Sequence, residues 1–301
     1  MPLADRSLIL DVHRAAPQKL VAVGQRGHIL LSEDEGDSWT QVQAPTRAML
    51  TGVSFANRNE GIAVGHNNVI LHTTDRGNSW NLRPVEAEFE VIFLDVLMLN
   101  PTTAFAIGAY GEFWQSEDGG KSWEQNFITE DELHLNVIEQ GKDGTLYIAG
   151  ESGTLLRSDD RGQSWQALNS PYFGSFHGLL AVNTSQLLVF GLRGHVFYSR
   201  DRGDTWTDLT VDVPVLFSGG TVTTRGWIVL AGQGGNLLVS QDDGFNFRQV
   251  RRIELEKIVQ VQALEDGAVL VAGNRGLTRI SAEDLATYFQ NARPLEIQPV
   301  P

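Results

Sequence analysis

The sequence predicts an all-β fold, a seven-bladed β-propeller with four-stranded blades, on three observations. One segment recurs seven times at intervals close to 41 residues, an aspartate-containing turn signature follows six of the seven copies, and the runs between are short, β-branched and aromatic. The copies VAVGQRGHILLS, IAVGHNNVILHT, FAIGAYGEFWQS, YIAGESGTLLRS, LVFGLRGHVFYS, VLAGQGGNLLVS and LVAGNRGLTRIS align without gaps. Their shared glycines are Gly24, Gly65, Gly108, Gly150, Gly191, Gly232 and Gly273.

Each unit reads as four strands: an apolar run such as Leu8 to Val12, a second ending at the shared glycine, a third ending at Ser or Thr, and a fourth starting at Trp. Seven such sheets closing radially leave few exposed edges, which favours a propeller over an open solenoid. The expected blades of one domain are 7–43, 47–84, 90–127, 133–169, 175–211, 215–250 and 256–301. Blade 1 takes its innermost strand from the run near Ser7, and the segment Leu295 to Val300 is expected to supply the outer strand of blade 7. Ala282 to Gln290 is the one helical candidate.

The turn signature S/T-x-D-x-G-x-S/T-W carries Asp34, Asp75, Asp118, Asp160 and Asp201, and a degenerate copy carries Asp242. Its expected role is structural: the carboxylate accepts backbone N–H bonds, the glycine turns left-handed and the tryptophan wedges between sheets. Recurring once per blade, these aspartates spread around the rim. Catalysis or calcium binding needs convergence of groups, which a rim does not provide.

Thirty-seven acidic residues against 23 basic ones leave a formal charge of −14. Such a field repels polyanions and argues against nucleic acid or anionic membrane as the partner. Without cysteine, disulfides and thiolate metal sites are excluded. No apolar run approaches the roughly 18 residues of a membrane span. The start MPLADRSLIL has no charged region followed by an apolar one, so no signal peptide is expected in this chain; Pro2 to Ser7 reads equally well as the start of a processed chain.

With the repeat and its turns in view, the sequence resembles the Asp-box (bacterial neuraminidase repeat) propellers, and among them the photosystem II assembly and stability factor family. The resemblance covers Leu8 to Ile280. It implies a non-catalytic scaffold on the periplasmic or luminal side of a membrane, binding an integral membrane protein or its soluble domain, with no cofactor; a cytoplasmic location is the alternative. Sialidases share the boxes, but the R-I-P element that opens their first arginine site does not occur here. A sialidase-like glycoside hydrolase and a small-ligand or lipid-binding module remain the competing classes.

In a propeller, the connections between strands two and three share a face with those leading from one blade to the next, and side chains there converge on the central mouth. The candidate binding residues on that face are Arg6, Arg26, Arg47, His66, Tyr110, Arg193 and Arg275. Blades 7, 1 and 2 contribute the arginines Arg275, Arg6, Arg26 and Arg47, suited to bidentate capture of a carboxylate or phosphate. The loops entering blades 3 and 4 carry Glu86, Glu88, Glu90, Glu130, Asp131 and Glu132. Phe89, Phe93, Phe127, Tyr172, Phe173 and Phe176 either form a docking surface or fill space between blades, the second being the expectation. His28 and His195, at equivalent repeat positions, read as packing residues. His13, His134 and His177, with Asp11, Asp95 and Asn136, lie near the inner strands, but no local histidine pair marks a metal site. No catalytic or metal-ligating residue is assigned.

Overall fold

The computed structural model describes residues 4–209 and 211–295. Seven antiparallel sheets follow one another along the chain as the blades of a seven-bladed propeller, most of them four-stranded. In the first sheet the strands Ile9–Ala16, Lys19–Gly24, Ile29–Ser32 and Thr40–Val42 pair in chain order, so blade 1 is continuous in sequence. Every residue of its second and third strands is buried. That is why these strands read as unbroken apolar runs: both their faces are covered, whereas no residue of the fourth strand is fully buried.

The described chain falls into two compact units, one running to Ile138 and including Arg275–Leu277, the other running from Glu139 to Asn274 and including the residues from Thr278 on. Within each, the core consists of apolar clusters shared by consecutive sheets. In the first unit Val21, Leu31, Leu50, Phe55, Leu71 and Trp80 form one such cluster; in the second Leu188, Phe190, Phe217, Leu230 and Leu238 belong to another. Each buried side chain of this size stabilises the fold by about 1.5–3 kcal/mol.

The glycine shared by the repeats answers to a close approach of two backbones. Gly24 has φ −176°, an extended backbone open to any residue. A Cβ there would lie 2.2 Å from the Leu8 carbonyl oxygen, and one on Gly65 would lie 2.0 Å from that of Met49. A register shift in each first strand, between Ile9 and Asp11 or Leu50 and Gly52, brings that carbonyl across the glycine. The following N–H then takes it: Gln25 donates to Leu8 at 3.1 Å and His66 to Met49 at 3.0 Å.

The aspartate boxes are built as their sequence implies. Asp34 accepts the Ser38 N–H at 2.9 Å and the Ser32 hydroxyl at 2.7 Å, while Ser32 Oγ accepts the Gly36 N–H at 2.8 Å. Glu35 and Gly36 are both left-handed, with φ 60° and 87°. The degenerate sixth box works the same way, with the Asn246 N–H and side-chain amide donating to Asp242 at 2.9 and 2.7 Å. Trp80 is buried against the cluster of the first two sheets, its ring 6.0 Å edge-on from Phe55 and its indole N–H donating to the Gly77 carbonyl. Hydrogen bonds from Ser38 and Ser32 hold the Asp34 carboxyl below its ordinary value. Asp34→Asn should therefore lower the unfolding free energy by about 1 kcal/mol, the net worth of an ordinary hydrogen bond, because solvent screens the carboxylate's charge in this exposed turn. Urea midpoints check this, and partner binding should be unchanged.

The seventh repeat departs from the other six at Ser281, the residue that opens a box elsewhere. Here its hydroxyl accepts the Asp284 N–H at 3.0 Å and caps the helix Ala282–Asn291, one residue longer than the expected segment. The helix buries Leu285 and lays Tyr288 and Phe289 against a cluster that includes Val229, Val271 and Ile280. Among the described residues the seventh sheet has three strands, Ile258–Ala263, Val269–Gly273 and Gly276–Ile280. Beyond the helix, Arg293–Pro294 pairs with Arg248 and Gln249 and adds a fifth strand to the sixth sheet. Of the segment expected to complete blade 7, all but Leu295 lies outside the described residues.

Candidate functional site

In blades 1, 3, 4 and 5 the connection between second and third strands is a three-residue turn whose middle residue is left-handed. Arg26, Tyr110, Ser152 and Arg193 occupy that position with φ 53–58° and are exposed. The glycine that follows is held by the loop leading to the next blade. A Cβ on Gly27 would lie 2.3 Å from the Thr46 carbonyl oxygen and 3.3 Å from the Arg47 Cα. One on Gly276 would lie 1.9 Å from the Asp5 carbonyl oxygen and 2.6 Å from the Arg6 Cα. The short turn Ala4–Arg6 thus stands to the seventh-blade turn as Thr46–Arg47 stands to that of blade 1.

These contacts order four of the expected residues along one edge of the first unit. Arg275 is followed by Arg6, whose segment reaches the Gln25–Arg26 turn through the Leu8 carbonyl, and Arg26 is followed by Arg47. All four are exposed, and no ion pair among the described residues engages Arg6, Arg26 or Arg47. Arg47 also lines a cavity of about 680 Å³ with Asn67, Asn68, Leu82 and Arg83. An edge of this kind presents guanidinium donors to an anion, and the next-blade loops fix the turns that carry them.

The other expected residues take different places. His66 is partly buried at the blade 2 turn, where Asn67 and Asn68 adopt the left-handed conformation and Asn68 Oδ1 accepts the Val91 N–H at 2.6 Å. Tyr110 stands edge-on to His134 at 5.1 Å, beside the acidic loops. Arg193 belongs to the second unit, where Gly194 is held by the Val213 carbonyl oxygen.

The aromatic theme divides. Phe93 and Phe176 are core residues, and Tyr172 packs on His195 and Phe197 with ring centroids 4.1 and 5.9 Å away, so these fill space as expected. Phe89, Phe127 and Phe173 do not: they are 78%, 82% and 93% exposed. Exposure of an aromatic ring on a loop leaves no periodic trace in sequence, so patterning could not separate the two groups.

His28 and His195 are packing residues, and burial lowers the pKa of both. On the inner strands, Asp11 accepts the Val53 N–H and Asp95 the Ile138 N–H, at 2.8 and 2.9 Å, stapling each inner strand to the next. Thr51 donates to the Phe93 carbonyl in the same manner. Their carboxylates are thereby committed to backbone, and no group of three or more His, Cys, Asp or Glu side chains among the described residues is placed to hold a metal.

The blades and their six boxes define an Asp-box seven-bladed β-propeller. Within that class the chain belongs to the family described as photosynthesis system II assembly factor YCF48, whose model matches residues 1–87 and 81–226. The photosystem II assembly lipoprotein Ycf48 of Synechococcus sp. (strain CC9902) is 30% identical over 90 residues, a stretch covering 29% of this chain and 26% of that relative. The match therefore spans about a quarter of the relative's length. A solved structure described as YCF48 bound to D1 peptide superposes with a TM-score of 0.74 at 21% identity, covering 92% of each chain. YCF48 from Cyanidioschyzon merolae superposes with a TM-score of 0.75 at 16% identity, covering 93% of this chain and 97% of that one. At these identities the two structures share the fold.

Proposed function

We propose that this protein is a non-catalytic binding scaffold that holds an anionic segment of a membrane protein on the face bearing Arg275, Arg6, Arg26 and Arg47. The observation that carries the reading is the contact order of these four exposed arginines, contributed by three blades, on a chain of net charge −14. A guanidinium row in such a field attracts a carboxylate-rich segment locally while the rest of the surface stays soluble and repels other acidic partners. Family membership, and a solved relative described as bound to D1 peptide, support a peptide as the kind of ligand held.

An enzymatic role needs a nucleophile and an acid facing a common point. Tyr147 and Tyr198 are buried, with burial raising their phenol pKa, and Tyr172 is packed among rings. The proposal extends to location on the periplasmic or luminal side of a membrane, to be checked by fractionating cells that express the natural reading frame.

Arg26→Glu/Arg275→Glu should reduce capture of the partner from a membrane extract at least tenfold with an unchanged melting temperature, since both side chains are exposed. Raising ionic strength should weaken wild-type capture. Unchanged capture by the double variant would refute the reading.

A further inference from the structure

The first unit carries a second recessed surface of opposite character. A cavity of about 640 Å³ opens between the loops 84–92 and 127–134 and the blade 3 turn, and Phe89, Tyr110 and Phe127 all line it. Tyr110 is 67% exposed and the two phenylalanines more so, and none of the three rings packs against another. Large apolar rings gathered in one recess and left in water mark a binding surface more than a core in deficit, because burying each elsewhere would have been favourable.

The rim of the recess fixes what it would hold. Glu88, Glu90, Glu112, Glu130, Asp131 and Glu132 line it, with no Lys or Arg among the lining residues. Glu112 is occupied, accepting the Trp114 indole N–H and the Gln125 amide at 2.6 and 3.0 Å. The carboxylates of Glu88, Glu90, Glu130 and Glu132 make no ion pair among the described residues. Four unneutralised carboxylates around three open rings repel lipid phosphate and nucleic acid, and they favour a cation whose alkyl stem or neighbouring side chain is apolar. The function proposed above places its partner at the arginine edge and makes no use of this recess.

The geometry points to a second docking site, at the entry to blades 3 and 4, for a lysine- or arginine-bearing polypeptide segment that also inserts an aromatic or aliphatic side chain between Phe89, Tyr110 and Phe127. The site is independent of the arginine edge and opposite to it in charge. Its occupant is a segment of a partner protein; a second copy of this chain, whose arginine edge is cationic, is the rival occupant.

The probe is a fluorescently labelled nine-residue synthetic peptide with four lysines around a central tryptophan and leucine, titrated by anisotropy against the whole chain. A control peptide carries glutamine in place of lysine. Saturable binding of the lysine peptide alone is expected, weakened at least tenfold in Phe89→Ser/Phe127→Ser and in Glu88→Gln/Glu130→Gln/Glu132→Gln, and weakened again by salt. These side chains are exposed, so melting temperatures should not move. Arg26→Glu/Arg275→Glu should bind the peptide as the wild type does, which separates failure of this site from failure of the arginine edge. Absent binding, equal binding of the glutamine peptide, or indifference to both sets of groove variants would overturn the proposal. So would sedimentation showing wild-type self-association that the groove variants abolish, which would make a second copy the occupant.

Discussion

Replacing Gly65 by alanine should cost about 3 kcal/mol or more of unfolding free energy. The new Cβ would sit 2.0 Å from the Met49 carbonyl oxygen and 2.9 Å from the Leu50 Cα, both backbone atoms of an inner strand. Relief requires that strand to move, and the His66 N–H to Met49 carbonyl bond at 3.0 Å goes with it. Overpacking of this kind costs about 1–3 kcal/mol, and the disrupted buried hydrogen bond adds to it. Gly226 is the control: its φ of +78° is left-handed, but a Cβ there meets nothing within 4 Å, so Gly226→Ala should cost about 1 kcal/mol from backbone strain alone. Urea unfolding of the three proteins decides it. A Gly65→Ala variant no worse than Gly226→Ala would show that the shared glycine is not held by the close approach.

Acid should destabilise the protein in two stages. His13, partly buried and stacked 6.0 Å from Phe55, has its pKa lowered from 6.5 to about 4 by burial, against a hydrogen bond to the Phe55 backbone that raises it. The unfolded chain binds this proton near pH 6.5 and the folded chain only near 4, so stability is undiminished above 6.5 and falls as pH drops through that interval. The loss from His13 alone is about 3 kcal/mol once pH 4 is passed. Burial lowers His28, His72, His177 and His195 as well, in the same direction. Below pH 4 the boxes follow. Hydrogen bonds from Ser164 and Ser158 hold Asp160 at about 2; at Asp118 burial raises the pKa, but bonds from Ser122, Ser116 and Lys121 outweigh it and leave it at about 2. A group so depressed contributes stability that is present at neutral pH and lost as pH falls from 3.8 toward 2. Urea midpoints at pH 7.5, 5.5 and 4 should decline steadily for the wild type, and His13→Gln should flatten the first stage. A wild-type midpoint that holds from pH 7.5 to 4 would contradict the assignment.

Much of the architecture was legible because it repeats. A glycine that must admit a carbonyl, and an aspartate that must accept a turn's N–H groups, leave the same letters in each blade, so Gly24 to Gly273 counted seven sheets where Asp34 to Asp242 counted six boxes. The helix showed itself because apolar positions such as Leu285, Tyr288 and Phe289 recur at helical spacing after Ser281. The site was half legible. Its arginines lie at repeat positions and could be placed on one face, but their order from Arg275 to Arg47 depends on which loop each turn rests against. The strand Arg293–Pro294 was not legible, because a two-residue pairing carries no pattern of its own.

Local chemistry that each unit must satisfy alone wrote the repeat into the chain: the number of blades, the four strands of each of the first five, and the construction of the aspartate boxes follow from it. Tertiary structure decided what the irregular residues do. Phe89 and Phe93 are four residues apart and chemically identical, yet one is 78% exposed in an acidic recess and the other is fully buried. The difference lies in which surfaces the neighbouring blades bring to each side chain, and that is a property of packing between units of the repeat, which no single unit encodes.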